Sequence, residues 1–260
     1  MSTYTYHLID SLDDRWHEVE LIVNEAALQS SNIELYNALC RTSIVLITAH
    51  LEGFTKEIAK SIIDDINSFS DFSKIPMPIK RTYCSMYLDI DNNNLEKKIN
   101  ILIDTFDSLG AKLCVDAFVF DNNKNPSPLI IDKICKNFGV SNFFEMIEES
   151  LLDKVFEGEK SIVYDLLQGL KYHTLEGIKE FPYTLNPEDF EIDIKKKNEK
   201  RTLWETFLDE LLKKRHAIAH GTSLENSSSI EEIREIKTKV QILQYAFALI
   251  LCNSILLSKK

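Results

Sequence analysis

Leu211-Leu212-Lys213-Lys214-Arg215-His216-Ala217-Ile218-Ala219-His220-Gly221 brings an arginine, two histidines and a glycine into seven consecutive positions, 215–221. Upstream, Trp204, Phe207, Leu208, Leu211 and Leu212 recur at helical spacing, and Arg215 and Ile218 continue the same line. Arg215 is therefore expected on the face that packs against other helices. At about 100° per residue, five positions carry His220 about 140° round from it. The two converge only if the helix loosens at its end, or if the partner group comes from another chain. Gly221 offers the loosening, because a glycine just past a helix end takes the left-handed conformation without a Cβ clash.

Around this stretch lies a 260-residue chain, long enough to bury a sizeable core. With only 7 glycines and 6 prolines, and many Leu, Ile, Lys and Glu, it leans helical. A net charge of −11 argues against a nonspecific nucleic-acid coat, but it leaves room for a local basic site. Cys40, Cys84, Cys114, Cys135 and Cys252 form no CxxC pair and no ligand spacing, so they read as free thiols in a reducing compartment. Residues 1–10 lack a charged-then-apolar leader pattern. The most apolar run, 245–252, is too short to span a bilayer. The expected location is the cytoplasm, with no membrane contact.

Taken in order, a first helix is expected from Asp10 or Ser11 to about Leu28, with Leu12, Trp16, Val19 and Val23 as its stripe. Ser30-Ser31-Asn32 offers a break and a fresh N-cap. A long helix follows over about 33–67, its line passing through Leu35, Leu39, Ser43, Leu46, His50, Phe54, Ile58 and Ile62. His50 on that line reads as a hydrogen-bonded core histidine. Pro76 and Pro78 break the chain before a short helix at 80–88. Asparagines at 92–94 precede a helix over 95–109 closed by Gly110. The Val-, Phe- and Cys-rich piece 113–120 reads as extended, and 122–128 as a loop. Residues 129–138, Gly139 and 141–150 read as helix, turn, helix. Glu145, Glu148 and Glu149 put acid where a DNA-reading helix needs base. Segment 154–177 is expected to be mostly helical, with Val155, Ile162, Leu166, Leu170 and Leu175 as core contacts. After a loop at 181–194 comes the basic run Lys195–Arg201, either a solvated face or a phosphate-tracking edge. Ser227, Ser228 and Ser229 cap a last helix over 230–257. Its stripe (Ile233, Ile236, Val240, Leu243, Phe247, Ile250) widens until the helix is apolar all round, as in a bundle core or a dimer interface. No internal repeat is present.

Arg215 to Gly221 (RHAIAHG) resembles the Rx4–6H motif of HEPN domains, closest to the branch of form R-[N/D/H]-x-I-A-H-G. Residues 41–56 (RTSIVLITAHLEGFTK) are similar to the early helix of the RiboL-PSP-HEPN relatives, in which an arginine precedes an apolar run and a Leu-Glu-Gly element. Residues 127–140 (SPLIIDKICKNFGV) resemble the same group. The resemblance implies an all-α, HEPN-type helical bundle in one domain over 1–260. Core helices would lie at about 10–67 and 202–258, with extra helices inserted at about 69–200.

The chemistry of such a site follows from its residues. RNA is cut without a metal or cofactor when its own 2′-OH attacks the adjacent phosphorus, which needs a base active near neutral pH and a fixed cation. His220 suits proton transfer because imidazole changes charge near neutrality. Arg215 suits the phosphorane oxygens because guanidinium is planar, always charged and bidentate. His216 is the candidate second proton donor or phosphate-orienting group. Glu52 is the candidate orienting carboxylate, and Lys195, Lys196, Lys197, Lys213 and Lys214 are candidate RNA contacts. The resemblance further implies a homodimer through the motif-bearing helices and an RNA substrate, tRNA among the options. It also implies a role in bacterial antiphage defence or as a toxin, with an antitoxin or defence-system partner. A different class stays open: a non-catalytic HEPN module binding a protein or nucleotide in a defence operon. So does a purely structural role, with His220 favoured at a helix C-terminus and Arg215 paired to a buried acid such as Glu52. No P-loop, dinucleotide fingerprint, HExxH or GxSxG competes.

Overall fold

Side chains cap the helices that open after Thr3, Asn32, Thr202 and Ser229. The structure, a computed structural model, describes residues 2–88, 94–119, 125–195, 200–221 and 228–255. The expected turn at 92–93, the loop at 122–124, Ser227 and the chain end at 256–258 lie outside the described residues. Thr3 accepts a hydrogen bond from the Tyr6 N–H and opens α1 (Tyr4–Asp10), a helix that periodicity did not reveal. In α2 (Leu12–Leu28), Leu12, Trp16, Val19 and Val23 are buried as expected. Asn32 caps α3 (Ile33–Phe69), whose 37 residues make a rod about 55 Å long.

The middle of the chain is where expectation and structure differ most. α4 (Met77–Ser85) starts earlier than expected. Pro78 lies in its first turn, where a missing N–H leaves no bond unmade. α5 (Leu95–Leu109) ends at Gly110 with φ 59°, as read from the sequence. The piece expected to be extended instead carries a single 3₁₀ turn, Val115–Ala117, and no strand occurs among the described residues. A lone strand has no neighbour to take its backbone hydrogen bonds, so a helical bundle leaves it as turn and coil. α6 is Pro128–Asn137, and α7 is only Phe143–Ile147, shorter than the expected 141–150. Phe143 and Phe144 are buried, so α7 is a core plug and not an exposed reading helix. One helix expected over 154–177 is two, α8 (Lys154–Glu157) and α9 (Lys160–Ile178). At the break, a Cβ on residue 158 would sit 2.4 Å from the Lys154 carbonyl oxygen, which requires glycine there. Ile162, expected in the core, is 45% exposed, whereas Leu170 is buried as expected and Leu167 joins it. α10 (Leu203–Ala219) and α11 (Ile230–Ser254) complete the order.

α11 is the axis of the bundle. Every residue from 240 to 252 is buried, and the helix packs on α3, α9, α2 and α7. The all-round apolar stretch is therefore covered by this chain's own helices, which settles the choice between bundle core and dimer interface. Burying each such Leu, Ile or Phe stabilises by about 1.5–3 kcal/mol over leaving it exposed. Gln244, inside the stretch, accepts from Trp16 Nε1 at 3.1 Å and donates to the His50 carbonyl at 3.5 Å, tying α11 to α2 and α3. α3 in turn takes α2, α1 and α10 along its length. That changing cover shifts its buried line: Leu35 is exposed, while Cys40, Ile44, Ile47 and Leu51 are buried beside the predicted Phe54, Ile58 and Ile62. No helix among the described residues is long and apolar enough to cross a membrane.

Candidate functional site

The first half of α10 is fastened to the core. Thr202 and Glu205 form a reciprocal capping box, and Trp204, Phe207, Leu208 and Leu211 are buried. Trp204 Nε1 donates to Asp153 Oδ1 at 2.8 Å, and its ring meets Phe156 edge-on at 4.9 Å. The second half carries the chemistry into solvent. The His220 N–H donates to the His216 carbonyl at 3.0 Å, an ordinary helical bond, and only Gly221 turns left-handed, at φ 65°. Gly221 takes the left-handed conformation expected of it, but it lies one residue beyond His220, whose N–H still bonds one turn back while its own backbone (φ −92°, ψ 3°) leaves the helix.

What the helix brings together is His216 and His220, one turn apart, both exposed, with ring centroids 4.1 Å from each other. Arg215 is half-buried and lies about 140° round the helix from His220. Among the described residues Arg215 forms no ion pair. Glu52, considered as its buried partner, instead holds Lys56 at 2.9 Å on the next turn of α3.

The candidate lysines divide. Lys213 is exposed next to the histidines. Lys214 holds Ser228 Oγ at 3.0 Å and the Glu232 carboxylate, so it closes α10 onto α11. Lys195 is exposed, its N–H donating to Asp193 Oδ1 at 2.9 Å, while Lys196 and Lys197 lie outside the described residues. Arg201, the last member of that basic run, pairs with Asp209 in the first half of α10, about 16 Å along the helix from His220. His50 belongs to the α2–α3 contact, its ring edge-on to Trp16 at 5.6 Å and its Nε2 3.7 Å from Glu18. Burial pushes its imidazole below the ordinary value, against the opposing pull of Glu18 and with a further push from Arg15. It is packed as expected, but its Nε2 makes no hydrogen bond.

Some neighbours of the site carried no sequence signal. Lys214 with Glu232, and Lys239 Nζ 5.6 Å over the Phe207 ring, set α10 and α11 antiparallel with Glu231 level with Arg215. Tyr36, near the start of α3, meets the Ile230 backbone, and burial raises its phenol. The motif end of α10 thus meets the first turn of α11, which in turn meets the start of α3.

A helical bundle ending α10 in RHAIAHG has the architecture and motif of a HEPN-type domain. The RiboL-PSP-HEPN family model matches residues 10–253, and the chain belongs to that family. No curated protein and no solved structure matches it at a significant level. HEPN domains are often ribonucleases, and others bind nucleotides.

Proposed function

We propose that this protein is an endoribonuclease that cuts RNA by 2′-OH attack without a metal, acting as a homodimer through the motif-bearing helices. The observation that carries the reading is the exposed His216–His220 pair, 4.1 Å between centroids, on the same helix end as an arginine with no ion pair among the described residues. His220 in its neutral form takes the 2′-OH proton as the oxygen attacks phosphorus. Arg215 neutralises the phosphorane oxygens. The 5′-oxygen leaves with a proton from a second imidazole, His216 or a histidine of the facing chain. The products are a 2′,3′-cyclic phosphate and a 5′-OH.

The pairing of two chains is supported by the helical register, since the His220 N–H still bonds the His216 carbonyl one turn back. Arg215 and His220 of one chain point about 140° apart, whereas two copies facing through this end supply Arg215 from one and His220 from the other. Lys213 meets a flanking phosphate. Glu52 enters only through Lys56, whose ammonium it holds. Cellular RNA such as tRNA is the substrate class, in antiphage defence or as a toxin restrained by a partner, in the cytoplasm. The net charge of −11 favours a second reading, a non-catalytic HEPN module that binds a protein or nucleotide.

Total RNA incubated with purified wild type and His220→Ala, chelator present throughout, separates the readings. Cleavage by wild type alone, leaving 2′,3′-cyclic phosphate ends, supports the ribonuclease. Equal cleavage by both proteins sinks it. A wild type that leaves RNA intact and copurifies with a protein partner favours the module.

A further inference from the structure

Between α8–α9 and the first turns of α11 lies a cleft of about 410 Å³. Val155, Phe156, Val163 and Leu167 form its apolar part, and Tyr164 stands in its wall with 62% of its surface exposed. Lys239 Nζ lies 4.9 Å over the Phe156 ring at one side. Lys160 and Arg234 add two cations to the lining, and Asn24 Oδ1 steadies the Arg234 guanidinium at 3.1 Å. The carboxylates of Glu157, Glu231 and Glu235 complete it. Gly158 makes the tight corner from α8 into α9 that shapes one end.

The cleft is outside the histidine site but close to its level on the bundle, since Glu231 of its lining is level with Arg215. Its volume falls within the usual range for small-ligand sites. An exposed phenol ring over an apolar floor is what a nucleobase stacks on. Guanidinium and ammonium groups suit a phosphate, and carboxylates accept from the exocyclic amines of bases. A lining with both signs of charge around an aromatic slot fits a ligand that is itself a flat, amine-bearing ring with an anionic tail.

We propose that this cleft takes a nucleotide, its base against Tyr164 and the Phe156–Val163 floor and its phosphate toward Lys160 and Arg234. The same chemistry comes either from a strand of RNA lying across the end of α10 or from a free mononucleotide. Only the first source rests on the ribonuclease reading.

The test measures binding separately from cleavage. A fluorescein-labelled, short single-stranded RNA of mixed sequence is titrated with His220→Ala and with His220→Ala/Tyr164→Ala, following anisotropy. AMP, GMP, CMP and UMP are titrated in parallel by calorimetry. Tyr164 is largely exposed, so melting temperatures of the two proteins are expected to agree. Stacking is lost in the double variant, and Kd rises by about tenfold. RNA carrying 4-thiouridine is expected to crosslink within 155–167 or 231–239. Tyr164-dependent binding of a mononucleotide identifies the free ligand, and Tyr164-dependent binding of RNA alone identifies the strand. Equal Kd values for both proteins, or no binding of any probe, overturn the proposal. If wild type cleaves RNA while Tyr164→Ala changes no affinity, the cleft falls and the ribonuclease stands. If a mononucleotide binds through Tyr164 while wild type cleaves no RNA, the cleft stands and the ribonuclease falls.

Discussion

His216 and His220 share one solvent-facing strip of α10, while Arg215, a single residue away in sequence, turns toward the packed side. If Arg215 meets the phosphorane with two parallel N–H donors, a lysine keeps the charge and loses the fork. Arg215→Lys is then expected to lower single-turnover cleavage by about 100-fold with the fold intact by circular dichroism. Near-normal cleavage would reduce Arg215 to a packing role. His50 makes a prediction of another kind. Its folded-state pKa lies below the ordinary 6.5, chiefly through burial, so the native state binds fewer protons than the unfolded chain. The stability this gives is complete above about 6.5 and is lost as pH falls through the window beneath it. Thermal melts from pH 8 to 5 should fall more steeply for wild type than for His50→Gln. Parallel curves would show that His50 does not titrate in that window.

At the scale of elements, the weak point is where α6, α7 and the start of α10 meet. Asp132 and Glu145 each keep a buried carboxylate oxygen without a hydrogen bond. Burial raises both, Asp132 and Glu205 push Glu145 up further, Glu205 pushes Asp132 up, and Lys136 opposes. A raised carboxyl is protonated more readily in the native state. It therefore costs nothing below its unfolded value, and stability falls as pH rises through the folded value, leaving the full cost at neutral pH. Asp132→Asn removes the charge and keeps the shape. It should raise the melting temperature by a few degrees at pH 7, with the gain shrinking as pH is lowered toward 3.8, the ordinary value for aspartate. A lower melting temperature at pH 7 would mean that the carboxylate is an asset, held by the Phe143 N–H and Lys136.

On the scale of the whole molecule, the N-terminus is held from a distance. Asp65 of α3, fully buried, accepts from the Tyr4 and Thr5 N–H groups at 2.6 and 3.0 Å and from the Tyr183 hydroxyl at 2.7 Å. One side chain thus joins α1, α3 and the segment after α9. Asp65→Ala leaves the Tyr4 and Thr5 N–H groups without their acceptor, while the Tyr183 hydroxyl keeps Thr5 Oγ1, and it is expected to cost about 3 kcal/mol in denaturant unfolding. A cost under about 1 kcal/mol would mean that water replaces the carboxylate. The dimer makes its own prediction. If one chain's Arg215 serves its partner's His220, inactive Arg215→Ala and inactive His220→Ala should regain cleavage when unfolded and refolded together, because mixed dimers then contain one intact pair. Cleavage absent from the mixture, with mixed dimers present by mass spectrometry, would place both groups in the same chain.

Much of this protein is local, and what is local was legible. Asn32, the asparagine-to-glycine span of α5 and the spacing of Leu12, Trp16, Val19 and Val23 act within a few residues, so α2, α3 and α5 could be read from the chain alone. The RHAIAHG motif and the family were legible for the same reason, since identity and spacing survive without coordinates. α1 was not, because the carboxylate that receives it stands on α3. The face of α9 that goes inward, the cover over α11 and the alignment of Glu231 with Arg215 depend on which helix lies alongside, and periodicity within one helix does not carry that information. The sequence by itself determined that Arg215, His216 and His220 close one helix. Tertiary structure decided their cover, leaving both histidines exposed and the arginine half-buried, because burial depends on which helices lie beside α10.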